Sequence, residues 1–159
     1  MYAKLLFLSI ASTITLQAGE RTVPLHKFPT LEPGKTSEDK AMELRKKRCL
    51  PCEGKVKPLS QEEEDEYAQA TPQWSINRAG THTLIRKFVL RSFKESMGFV
   101  NAIADLAEEE SHHPAIEIFF NVVSITLYTH AIGGLSENDF IVAARIDELA
   151  HKKRLGGKR

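Results

Sequence analysis

The stretch HTLIRKFVLRSFKESMGFVNAIADLAEEESHHPAIEIFFNVVSITLYTH, residues 82–130, decides the fold. Its first ten residues, His82 to Arg91, carry Leu84, Phe88 and Leu90 in one register with the charged Arg86, the alternation of a partly buried strand. Across a short Arg78-Ala79-Gly80 turn lies Trp74 to Asn77, so the two runs read as a β-hairpin. The period then changes. Phe93, Met97, Val100, Ile103, Ala104 and Ala107 recur at spacings of three and four, which predicts an amphipathic helix of about 15 residues ending in Glu108, Glu109 and Glu110 and serving as the central core helix. After His112-His113-Pro114 the period returns to two: Ile116 to Phe120, a turn at Asn121, and Val123 to His130 with Val123, Ile125 and Leu127 on one face. This is a second hairpin.

Outward from that stretch, Ser60-Gln61-Glu62-Glu63 has the form of a capping box and predicts a helix to about Ala70, which Pro72 stops. Downstream, Gly133-Gly134 breaks the chain and Ser136 with Asp139 repeats the capping arrangement. Phe140, Ile141, Ala144, Ile146 and Leu149 then make a last helix. The order is α-ββ-α-ββ-α. Each hairpin is antiparallel within itself, so the class is α+β: a four-stranded antiparallel sheet with helices packed on one face, the opposite face or an edge being left for subunit contact.

The 159 residues suit one domain. Twenty-two Lys+Arg against 21 Asp+Glu give a formal net charge of +1, which argues against a nucleic-acid partner or an anionic membrane surface and favours a small, roughly neutral one. Residues 1–19 hold an early Lys4, an apolar and hydroxylated run from Leu5 to Leu16, and no acid, so they read as a targeting segment. At about a dozen residues that run is too short for a membrane span, where roughly 20 are needed. A secretory signal and an organelle presequence (mitochondrion or plastid) both fit, and without either the chain is cytoplasmic. Residues 20–57, with Pro24, Pro29, Pro33 and Gly34, read as a linker, 58–151 as the folded domain and 152–159 as a basic tail. The linker carries Cys49 and Cys52 as a single C-x-x-C. Two thiols do not complete a tetrahedral zinc site, and structural, disulfide, metal and redox roles all remain open.

The histidines carry the chemistry. With the turn centred between Asn121 and Val122, cross-strand partners sum to about 243, which sets His113 opposite His130 to within one or two residues. His112 and His113 enter before the first strand of that hairpin and His130 leaves the second, so three imidazoles gather at one mouth of the sheet. A zinc triad is conceivable, but adjacent His112 and His113 point to opposite sides and no H-x-x-x-H spacing is present. A metal-free cluster suits proton transfer near neutrality.

The residues Glu108 to Pro114 (E-E-E-S-H-H-P), Thr129-His130, and Gly134 to Asp139 (G-L-S-E-N-D) resemble the pterin-4a-carbinolamine dehydratase family, over Trp74 to Leu149. The resemblance implies that His112, His113 and His130 are catalytic and that Glu108, Ser111, Pro114 and Trp74 belong to the substrate pocket, with no metal and no cofactor. Pro114 there acts by fixing the backbone after His113. The family often has Asp where this chain has Ser111, which puts a proton relay at that position in doubt, and a basic residue where Asn138 stands. The implied activity is dehydration of 4a-hydroxytetrahydrobiopterin by histidine acid/base catalysis in tetrahydrobiopterin recycling, by a homo-oligomer, a dimer or a tetramer. The alternative on the same fold is a non-enzymatic dimerisation cofactor or assembly factor. Retention of all three histidines favours the enzyme.

Overall fold

A computed structural model of the chain describes residues 34–51 and 56–156. The targeting segment and Cys52 lie outside the described residues.

Among the described residues four α-helices and four strands follow one another: α1 Ser37–Lys46, α2 Gln61–Ala68, β1 Ser75–Asn77, β2 Thr83–Val89, α3 Phe93–Glu110, β3 Ala115–Phe119, β4 Val122–Leu127 and α4 Glu137–Gly156. The strands form one antiparallel sheet in the order β1-β2-β4-β3, so each predicted hairpin is present and β2 pairs with β4 to join them. From Gln61 onward the order is the α-ββ-α-ββ-α expected. Leu84 and Phe88 of β2 and Val123, Ile125 and Leu127 of β4 point to the helical face and are buried beside Phe99, Ile103 and Leu106 of α3 and Phe140, Ile141 and Ile146 of α4. Each such side chain contributes about 1.5–3 kcal/mol when fully buried. On the other face a polar row, Lys87, Ser124 and Glu117 in register across three strands, lies next to an apolar one, Val89, Val122 and Phe119.

Three readings change. The core face of α3 is Ser96, Phe99, Ile103, Leu106, Ala107 and Glu110, whereas Phe93 (51% exposed) and Met97 (36%) face outward. The apolar stripe along α3 is wider than its core contact: of the residues that periodicity picks, Ile103 and Ala107 are buried, while Phe93, Met97 and Ala104 lie on the neighbouring, outward row. Strand β4 stops at Leu127, and His130–Ile132 form a single 3₁₀ turn. The β3–β4 register sums to 241 instead of 243, because the loop is Phe120-Asn121, with Phe120 at φ +50°. Asn121 fastens that loop to the end of β2, donating from Nδ2 to the Leu90 carbonyl at 2.9 Å and accepting from the Leu90 N–H at 2.8 Å.

The segment read as linker contains α1. Thr36 caps it in a full capping box with Asp39, acids occupy its first turn and Arg45 and Lys46 its last, as the helix dipole favours. Only Ala41 and Leu44 are buried, too few for a visible period. Polar contacts supplement them: Ser37 Oγ donates to the Gln69 carbonyl (2.7 Å) and Lys40 Nζ to Gln69 Oε1 (2.6 Å). Helix α2 carries the predicted Ser60–Glu63 capping box. Its buried Glu64 takes Arg78 Nε (2.9 Å) and contacts His82 Nδ1 (2.7 Å), tying the helix to the β1–β2 turn.

Candidate active site at the end of the second hairpin

The C-terminus of α3 sets the direction of the paired histidines. Ser111 N–H donates to the Glu108 carbonyl (3.2 Å) and His112 N–H to the Ala107 carbonyl (3.1 Å), the double closure of a Schellman motif. Ser111 takes the left-handed conformation this requires, φ 50° and ψ 34°, at a cost of roughly 1–2 kcal/mol for a residue with a Cβ. The turn sends the His112 ring inward, 5% exposed, and leaves His113 outside. Pro114 then confines His113 to extended backbone, and β3 begins at Ala115.

Inside, His112 Nε2 lies 2.7 Å from Oδ1 of Asp139, in the first turn of α4. Asp139 is fully buried. Its Oδ2 accepts from the Ser136 N–H (2.8 Å) and from Thr129 Oγ1 (2.8 Å), with Ser136 Oγ 3.3 Å away; Ser136 Oγ also lies 2.6 Å from Thr129 Oγ1. Both oxygens of the carboxylate thus meet donors, the condition for a buried charge. An ionised carboxylate only accepts, so a hydrogen on Nε2 of His112 points to Asp139 and the pair fixes the orientation of the ring.

The other two rings are exposed. His113 Nε2 is 3.0 Å from Glu108 Oε1, five residues back on α3, and His130 Nδ1 is 3.0 Å from the Tyr128 hydroxyl, the two rings meeting edge-on with centroids 5.7 Å apart. β3 and β4 are antiparallel, with Ala115 at the start of one opposite Thr126 near the end of the other, so the residues before β3 and those after β4 share one end of the hairpin. All three histidines therefore stand at one end of the β3–β4 hairpin, each with its own oxygen partner. Two exposed imidazoles and one buried, oriented imidazole form an arrangement able to deliver and accept protons. Among the described residues no group of three His, Cys, Asp or Glu side chains is placed to hold a metal ion.

Trp74 sits elsewhere. It is buried, donates from Nε1 to Asp147 Oδ1 at 2.9 Å and packs edge-on against Phe88 with ring centroids 6.1 Å apart. Asp147 is eight residues beyond Asp139, about 12 Å along α4. Arg86 also binds Asp147 and lies 4.5 Å over the Phe88 ring. Burial pushes the Asp147 carboxyl above its usual range, against the pull of Arg86 and the indole N–H. Arg86, Phe88 and Asp147 border an open cleft of about 1080 Å³ between α1, α4 and the edge of β2, which none of the three histidines lines. Glu108 and Ser111 are exposed beside His113, and Pro114 is half-buried.

Asp139, Thr129, Ser136 and Tyr128 complete the histidine contacts without having been singled out as site residues. The signals available were the Thr129-His130 and Gly134 to Asp139 motifs, and within the second Ser136-x-x-Asp139 reads as a helix cap. It is one: the Ser136 N–H to Asp139 bond is half of a capping box, made by the oxygen that does not meet His112.

The geometry agrees with what the chain matches. A family model described as Pterin 4 alpha carbinolamine dehydratase matches residues 57–149. A provisionally named pterin-4-alpha-carbinolamine dehydratase of Rubrobacter xylanophilus is 44% identical over 107 residues, 67% of this chain and 98% of that protein. A similarly named protein of Nitrosospira multiformis is 45% identical over 107 residues, 67% of this chain and 92% of its own. Among solved structures, a transcriptional coactivator/pterin dehydratase from Brucella melitensis is 29% identical, with a TM-score of 0.56 over 58% of this chain and 98% of its own. With more than half of the chain inside the family model, and nearly the whole of a relative covered at 44% identity, the chain belongs to the pterin 4 alpha carbinolamine dehydratase family.

Proposed function

We propose that the protein dehydrates 4a-hydroxytetrahydrobiopterin to quinonoid dihydropterin, as a step of tetrahydrobiopterin recycling. The observation that carries this reading is the placement of His112, His113 and His130 at one hairpin end, with His112 held by the buried Asp139. In the reaction the C4a–O bond breaks and the hydroxyl leaves as water, taking one proton from a protonated imidazole. N5 loses one proton to a neutral imidazole as the N5=C4a bond forms. One proton is given and one received, so no oxidant or reductant is needed. Exposed His113 and His130 are the groups that reach substrate and exchange these protons, while His112, its ring held by Asp139, completes the cluster beside them. Glu108 and Ser111 border the His113 side and are pocket residues in this reading.

The test is turnover of enzymatically generated 4a-hydroxytetrahydropterin by the purified chain. Wild-type activity lost in a His113→Ala/His130→Ala double variant supports the reading. No acceleration over the spontaneous dehydration overturns it.

A homo-oligomer, dimer or tetramer, belongs to the same proposal. The outward stripe of α3, Phe93, Met97 and Ala104 with half-buried Val100, is an apolar row on an exposed helix, the kind of surface that symmetric pairing covers. Light scattering on a Phe93→Glu/Met97→Glu variant should report a smaller species than wild type. The second reading, a dimerisation cofactor or assembly factor, is favoured by that same stripe and by the coactivator half of the Brucella protein's description. It requires no turnover and predicts that histidine variants leave the partner role intact.

A further inference from the structure

The family model begins at residue 57, and the chain just before it, Arg48 to Leu50, is built into the site. Between α1 and residue 51 it crosses the C-terminal end of α3 and the first turn of α4. The Leu50 backbone pairs with the side-chain amide of Asn138: Leu50 N–H donates to Oδ1 (3.0 Å) and Nδ2 donates to the Leu50 carbonyl (2.8 Å). Two residues earlier Arg48 Nη1 contacts both Glu109 and Glu110 at 2.5 Å, and Cys49 N–H donates to Glu110 Oε2 at 2.8 Å. Arg145 of α4 clasps Glu110 from the other side and Glu109 at 3.2 Å. The Glu110 side chain is 1% exposed. Burial pushes its carboxyl up, but the Cys49 N–H, Arg48 and Arg145 together hold it below its usual range.

The anchors are the sequence neighbours of the site. Asn138 immediately precedes Asp139, and Glu110 is the last helical residue before the Ser111 turn that aims His112. We propose that Arg48–Leu50 is a positioning strap. By holding Asn138 and Glu110 it fixes the two helix ends between which the His112–Asp139 pair is stretched, so the segment that precedes α2 sets the geometry of the proposed active site. Its residues are positioning residues and touch no substrate. A strap of this kind keeps a donor–acceptor pair within the narrow range that proton transfer tolerates, where a displacement of about 1 Å costs up to roughly 10²-fold in rate.

The proposal rests on the dehydratase reading for its kinetic readout only, so the experiment on the full-length chain carries two. Asn138→Ala, Arg48→Ala and the double variant are compared with Arg78→Ala, a control of similar ion-pair loss at the Glu64 end of the fold. Each strap variant should lower kcat by about tenfold with KM within about twofold of wild type, and the double variant should be no worse than the weaker single by more than a small factor, since both release one segment. In ¹⁵N-histidine spectra, the hydrogen-bonded Nε2–H of His112 should broaden or shift in the strap variants and stay in place in Arg78→Ala. Should Asn138→Ala fail to fold, Arg48→Ala, at a side chain 64% exposed, carries the test. An unchanged His112 signal in the double variant, or unchanged kcat in all three, overturns the strap. If the wild type itself does not turn over the pterin, the dehydratase reading falls and the ring signal alone judges the strap.

Discussion

Asp139→Asn is the sharpest perturbation of the site, because it changes one atom in a fully buried carboxylate whose contacts are all assigned. Oδ1 receives His112 Nε2 at 2.7 Å; Oδ2 receives the Ser136 N–H and the Thr129 hydroxyl, each at 2.8 Å. An asparagine must turn its NH₂ toward one of these. Facing His112, it opposes the ring's own N–H and forces the hydrogen to Nδ1, the tautomer that can no longer accept a proton there. Facing Ser136, it leaves a buried backbone donor unsatisfied, which costs about 1–3 kcal/mol. At roughly 4 °C per kcal/mol for a domain of this size, Tm should fall by roughly 4–12 °C. Turnover should fall further than stability explains, by roughly 10²–10⁴-fold, as expected when a histidine loses the carboxylate that fixes its tautomer. The assay is the initial rate of pterin dehydration at a temperature where circular dichroism shows the variant fully folded. A folded Asp139→Asn within about threefold of wild-type kcat would show that His112 has no part in the chemistry and that its pair with Asp139 only closes the α3–α4 junction.

His130→Ala removes an exposed ring, so turnover should drop by about 10²-fold while Tm stays near wild type; a rate close to wild type in the folded variant removes His130 from the mechanism. His112→Ala should lower turnover comparably and, unlike His130→Ala, also lower Tm, since it strands Asp139 Oδ1 in the interior. Because the folded Glu110 carboxyl titrates below its ordinary value of 4.5, the stability it contributes is present above that pH and is lost as pH falls through the folded value. Melting curves between about pH 6 and pH 3 should therefore show a steeper decline for wild type than for Glu110→Gln. Exhaustive chelation should leave turnover unchanged, whereas about one zinc per chain lost together with activity would return His112, His113 and His130 to the role of ligands.

Both hairpins and α3 were legible because their apolar spacing is the same quantity that the core selects, and α4 because a cap signal precedes the apolar run Phe140 to Ala144, which is buried on every side. What periodicity does not contain is which of two adjacent apolar rows is buried. Phe93-Met97-Val100-Ala104 and Ser96-Phe99-Ile103-Leu106 both fit a helix, and the second is the row that meets the core, with Phe99 and Phe88 ring centroids 5.0 Å apart. Helix α1 was illegible for the opposite reason. Its two inward residues, Ala41 and Leu44, are outnumbered by charges, and its position depends on Gln69 and Ala144, partners distant in sequence. The two-residue error in hairpin register came from the loop, where Phe120 adopts a left-handed conformation that composition assigns to Gly or Asn.

The same limit explains why the histidines were visible and their carboxylate was not. His112, His113 and His130 stand out as residue types with few reasons to cluster, whereas Asp139 had already been accounted for, as the acid of a helix cap. A capping acid uses one oxygen, and its second is free to face inward when the helix start is buried. Here Leu135, Ser136, Asn138 and Asp139 are all buried, so the second oxygen cannot be answered by water and must be met by a protein donor. The Schellman turn at Ser111 brings His112 to that position. One residue thus starts α4 and orients the ring, and a cap signature at a helix start that follows a glycine pair and a buried leucine carries more information than the beginning of a helix: it implies a buried donor elsewhere in the chain, to be sought among the histidines first.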